Sequence, residues 1–110
     1  MAEVAAREQA YEWACFCAQQ AAEKAVKALH LALGQEAWGH TVAKLLAELP
    51  CEVPQKLVER ARFLDLYYVP SRYPNAFPEG APFQHFGPQQ AEEAVAHARA
   101  ILEFVASRMA

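Results

Sequence analysis

The sequence predicts an all-α protein, an antiparallel (up-and-down) bundle of four to five helices forming one domain over residues 1–110. Three observations lead there. Hydrophobic residues make up 55% of the chain, and alanine, the strongest helix former, supplies much of that share. Glycine occurs only four times, and Val and Ile are sparse, which disfavours a sheet. Apolar residues recur at spacings of three and four in four stretches, and such amphipathic segments must bury their stripes against one another.

The first segment runs without Gly or Pro to Gly34, a good helix terminator. Its stripe is read as Ala10, Trp13, Phe16, Cys17, Ala21, Ala25, Ala28, Leu31 and Ala32, and residues 1–10 either continue this helix or form a short one of their own. After a loop at Gln35–Gly39, a shorter helix capped by His40 or Thr41 exposes Val42, Leu45, Leu46 and Leu49 on one face, and Pro50 stops it. Pro54 suits the first turn of a third helix, with Leu57, Ala61, Leu64 and Tyr68 as its stripe and Val58 and Phe63 widening it. From Val69 to Gly87 the recurring prolines exclude a regular helix. Tyr73, Phe77, Phe83 and Phe86 in that stretch suggest a loop packed on the body rather than a linker. The last helix spans Pro88–Ser107 with Ala91, Ala94, Val95, Ala98, Ile101, Leu102 and Val105 inward. A second apolar edge at Leu102, Phe104 and Met109 points to a homodimer.

A net charge of −3 removes the strongly basic footprint of sequence-independent duplex binding. The three cysteines form no CxxC pair. On a helix Cys15 and Cys17 lie about 200° apart, so they are read as buried free thiols and not as a disulfide or metal site. The start of the chain, with Glu3, Arg7 and Glu8, does not read as a secretory leader, and no apolar run is long enough for a bilayer. A soluble, cytoplasmic protein with no membrane association is expected. His30, His85 and His97 are scattered without the close pairs of a zinc site, and there is no Gly-rich phosphate loop, GxSxG elbow or HExxH, so no metal, cofactor or catalytic residue is assigned.

Three stretches together resemble the HEPN family, the "higher eukaryotes and prokaryotes nucleotide-binding" domain: Cys17–Leu29, Gly39–Leu46 and Asp65–Asn75, the last containing Tyr68-x-x-x-Arg72-Tyr73-Pro74. The resemblance implies a helical bundle, commonly a homodimer, associated with nucleotides or RNA. It also implies pairing with a minimal nucleotidyltransferase in a two-component or toxin–antitoxin system. Nuclease members carry an arginine, four to six intervening residues, and then a histidine. That pattern is missing, since twelve residues separate Arg72 from His85 and no histidine follows Arg99. Candidate ligand or phosphate contacts are Lys24, Lys27, His40, Arg72 and Tyr73. A guanidinium grips phosphate through paired N–H donors, a tyrosine ring stacks on a base, lysines neutralise phosphate, and a histidine at a helix start can donate to an anion. Each has a structural alternative: Arg72 paired with Asp65, a Glu23–Lys27 pair on one helix face, and His40 as a cap. A non-catalytic nucleotide- or RNA-associated module is therefore expected. The alternatives are an endoribonuclease using Arg72 with His85 or His40, and a protein-interaction module gripping its partner through the Pro-aromatic loop. The anion-site reading requires the Arg-Tyr-Pro turn to lie near Lys24 and Lys27.

Overall fold

The structure is a computed structural model describing residues 2–72 and 87–109, with side chains for residues 9–67 and 87–109. Tyr73, His85 and the aromatic stretch Phe77, Phe83 and Phe86 lie outside the described residues. Four helices, α1 (Ala2–Ala32), α2 (Val42–Ala47), α3 (Gln55–Arg72) and α4 (Pro88–Met109), build the bundle, with no strand among the described residues.

α1 is continuous from Ala2, so the first ten residues extend it. It ends in a Schellman motif. The Gln35 N–H donates to His30 O (2.8 Å) and the Gly34 N–H to Leu31 O (3.0 Å), which requires Gly34 at φ 78°. α3 continues through Pro70 to Arg72, past the expected exit at Val69. Proline removes its own N–H, but the residues after it can still donate. At α4, the side-chain oxygen of Gln90 accepts from the Gly87 N–H at 3.0 Å, one half of a capping box.

Gln19 touches Asp65, and Tyr67 lies within electrostatic reach of Cys15 and Glu93, while Phe63 and Arg60 meet His97. α3 therefore runs antiparallel to α1 and α4, giving three long helices in up-down-up order with α2 inserted in the first connection. The core gathers Cys15, Ala18, Ala22, Val26 and Leu29 from α1, and Val42, Leu45, Leu46 and Leu49 from α2 and its exit. α3 adds Leu57, Ala61, Leu64 and Tyr67, and α4 adds Ala94, Ala98, Ile101 and Val105.

The α1 stripe lies about one position away from the one expected. Trp13, Cys17, Ala21, Ala28, Leu31 and Ala32 are exposed, and Gln19, Glu23 and His30 are buried. An alanine-rich helix offers apolar residues on every face, so a three-four pattern can be drawn at more than one phase. The largest side chains, Trp13 and Leu31, drew it toward the wrong one. Likewise Cys15 is buried but Cys17 is exposed and Cys51 half-buried. Phe63, expected to widen the α3 face, is exposed and stacks on His97 with ring centroids 5.5 Å apart. No helix among the described residues is long and apolar enough to cross a membrane.

Candidate functional site

The polar residues of the buried α1 face meet α3 and the start of α2 in one cluster. Gln19, fully buried, donates through Nε2 to the carbonyl of His40 (2.9 Å) and to Asp65 Oδ1 (3.2 Å). Asp65 in turn accepts the Val42 N–H at Oδ1 (2.7 Å) and the Ala43 N–H at Oδ2 (3.0 Å). These are two of the donors that a helix start leaves without intrahelical partners. The cap of α2 is thus supplied by α3: Thr41 occupies the N-cap position without a side-chain bond, and His40 contributes its backbone carbonyl to Gln19. Burial raises the Asp65 carboxyl above its usual value of 3.8; the three hydrogen bonds pull it down, and the nearby Glu23 charge pushes it up.

One turn along α1 from Gln19, Glu23 is 5% exposed. Its Oε2 lies 3.2 Å from Lys27 Nζ and 3.6 Å from His40 Nδ1. Its Oε1 is buried with no hydrogen-bond partner. A buried carboxylate oxygen without a donor is costly, and native proteins keep few of them.

Of the sequence candidates, the structure brings Lys27 and His40 together on one carboxylate and leaves Lys24 exposed beside them. Arg72 closes α3 seven residues beyond Asp65, about 10 Å along the axis. Because α3 is antiparallel to α1, that direction leads away from Lys24 and Lys27. The backbone separation along the bundle is roughly 20 Å at the helical rise per residue. The backbone positions that carry the lysines and Arg72 therefore lie well apart within a chain. Tyr73 lies outside the described residues.

Sequence reasoning missed three members of the site. Glu23 and Asp65 were read only as ion-pair partners of Lys27 and Arg72, and Gln19 was given no role, although a Gln-x-x-x-Glu pair in register with Lys27 marks a single polar line along α1. Trp38, inside a stretch read only as a connector, is 77% exposed. It borders a hollow of ≈290 Å³ lined by Lys27, Leu31, Glu36, Ala37 and Trp38. Lys27 joins this hollow to the Glu23–His40 pair. Among the described residues, no three His, Cys, Asp or Glu side chains converge on a possible metal position.

The family model of the HEPN domain matches residues 1–108. None of the curated proteins matches the chain. Among solved structures, the chain is similar to TT1696 from Thermus thermophilus, at 55% identity and TM-score 0.81, over 89% of this chain and 79% of that one. It is also similar to ST0689, described as an archaeal HEPN homologue, at 41% identity and TM-score 0.73, over 91% of this chain and 79% of that one. With the matched bundle spanning nearly its whole length, the chain belongs to the HEPN domain family.

Proposed function

We propose that this chain is a nucleotide- or RNA-associated module without nuclease chemistry of its own. In this reading it works as a cytoplasmic homodimer beside a minimal nucleotidyltransferase, in a two-component or toxin–antitoxin pair. The observation carrying the reading is the Gln19–Glu23–Asp65 network at the α1–α3 seam. It fixes His40 and Lys27 at the surface beside an exposed tryptophan. Folded proteins rarely bury a carboxylate and leave one of its oxygens without a donor unless the site has a task. Family membership and the missing arginine–histidine spacing favour binding over cleavage. Support for a dimer comes from the shallow groove of ≈440 Å³ between α1 and α4. It is lined by Ala14, Cys17, Ala21, Val95 and Leu102 among others, with Leu102 and Met109 exposed nearby. Phe104 contributes less to that edge than its sequence position suggests, since it is half-buried and its ring lies 5.3 Å beneath the Arg108 guanidinium.

The test is a titration of labelled ATP, GTP and short oligoribonucleotides, with the chain alone and with its candidate nucleotidyltransferase. Saturable binding in either setting, with no cleavage of the RNA, is the expected result. Absence of binding in both settings removes the reading.

A further inference from the structure

We infer that Trp38, Lys27 and Glu23 form a ribonucleoside subsite, with the base stacked on the Trp38 indole and a ribose hydroxyl donated to Glu23 Oε1. This rests on the nucleotide-binding reading above and names the part of the nucleotide the site takes.

Glu23 is held in place by Lys27 through Oε2, and His40 faces that same oxygen, so Oε1, which is buried, is the carboxylate oxygen still without a donor. One vacant acceptor suits one O–H donor. A guanine edge offers two parallel N–H donors and needs both carboxylate oxygens, one of which Lys27 already occupies. A second cation is not required, because Lys27 already balances the Glu23 charge. The carboxylates of Glu23 and Asp65 behind this spot and Glu36 on the rim of the hollow disfavour an anion against Oε1 itself. A neutral sugar hydroxyl meets all of these conditions, and carboxylates serve as ribose acceptors in other nucleotide sites.

The base has a platform beside it. Trp38 is the most exposed large apolar side chain among the described residues, and an indole face stacks on any base. The hollow it borders combines the Leu31 and Ala37 side chains with one cation and one carboxylate, a lining suited to a flat neutral ring. Lys27 belongs both to that hollow and to the Glu23 pair, so base and sugar positions are contiguous. The His40 side chain beside Oε2 is 62% exposed. Oε1 is itself buried, so a ribose hydroxyl reaches it only when the side chains over it move aside.

The experiment uses a Trp13→Phe chain, in which Trp38 is the one remaining tryptophan. ATP, 2′-deoxy-ATP and 3′-deoxy-ATP are titrated while Trp38 fluorescence is followed. ATP should quench Trp38, and at least one deoxy analogue should bind about tenfold more weakly, the loss expected for one hydrogen bond to a charged acceptor. Glu23→Met should bring ATP down to the level of that analogue; should this variant not fold, the analogue comparison on the Trp13→Phe chain decides alone. Equal binding of all three nucleotides, or binding without any change at Trp38, overturns this subsite and leaves the nucleotide-binding reading standing. No binding of any nucleotide removes both. Shielding of Trp38 by the nucleotidyltransferase but not by nucleotide assigns the tryptophan to a protein contact and also overturns the subsite.

Discussion

Asp65 bears the largest structural responsibility of any single side chain in the cluster. It joins α3 to the start of α2 and, through Gln19, to α1. Asp65→Ala would leave two helix-start N–H groups without their acceptor and take one of two acceptors from the Gln19 amide. A loss of roughly 2 kcal/mol is expected in denaturant unfolding. Asp65→Asn keeps one acceptor and should cost less. Its pH behaviour follows from the raised carboxyl. The folded state holds the Asp65 proton more tightly than the unfolded chain does. The stability of the wild type relative to Asp65→Asn should therefore fall as pH rises from 3.8 through the raised value, then level off. A difference that grows over that window would contradict burial as the dominant cause. Cys15 and Cys17 differ just as sharply. Burial and the Glu12 charge push the Cys15 thiol up to about 11, whereas Cys17 is exposed. Iodoacetamide at neutral pH should label Cys17 in the folded protein and reach Cys15 only after unfolding, as read by mass spectrometry of the peptides.

At the scale of elements, the α3–α4 contact depends on a neutral imidazole. His97 stacks on Phe63, and its Nδ1 accepts from Arg60 Nη1 at 3.2 Å. Burial lowers the His97 pKa below 6.5, Arg60 lowers it further, and Glu93 opposes them. A depressed histidine contributes stability that is present above 6.5 and lost as pH falls through the folded value. Arg60→Met should move the His97 titration upward in NMR and make the melting temperature less sensitive to acid over that window. An unchanged titration would mean that the guanidinium does not set it. α2 is the reverse case, six residues with little helical stability of their own. Its persistence comes from Val42, Leu45 and Leu46 in the core and from the Asp65 cap, together with the Leu45 carbonyl, 2.8 Å from His30 Nε2.

For the whole molecule, α1 and α4 make the most extensive contact, and the groove along their outer seam is the face assigned to a second copy. Leu102→Glu places a charge on an exposed side chain of that groove. It should shift the chain from dimer to monomer in sedimentation while leaving the helix content unchanged. A monomeric wild type would remove the dimer from the proposal.

The helices themselves were legible because helix formation is governed locally. Gly34, Pro50 and Pro54 marked the end of α1, the end of α2 and the start of α3 to within a few residues, whereas the start of α1 stayed open and α3 runs on past Val69; Val42, Leu45, Leu46 and Leu49 named the α2 face correctly. Lys27 and His40 were also visible as residue types suited to ligands. What tertiary structure decided was which face of α1 turns inward. Alanine is apolar enough for either choice, so the decision fell to long-range partners: Asp65 for Gln19, and His40 for Glu23. The polar line of Gln19 and Glu23 becomes a buried site only when α3 and the turn before α2 pack over it, and that packing leaves one Glu23 oxygen without a donor.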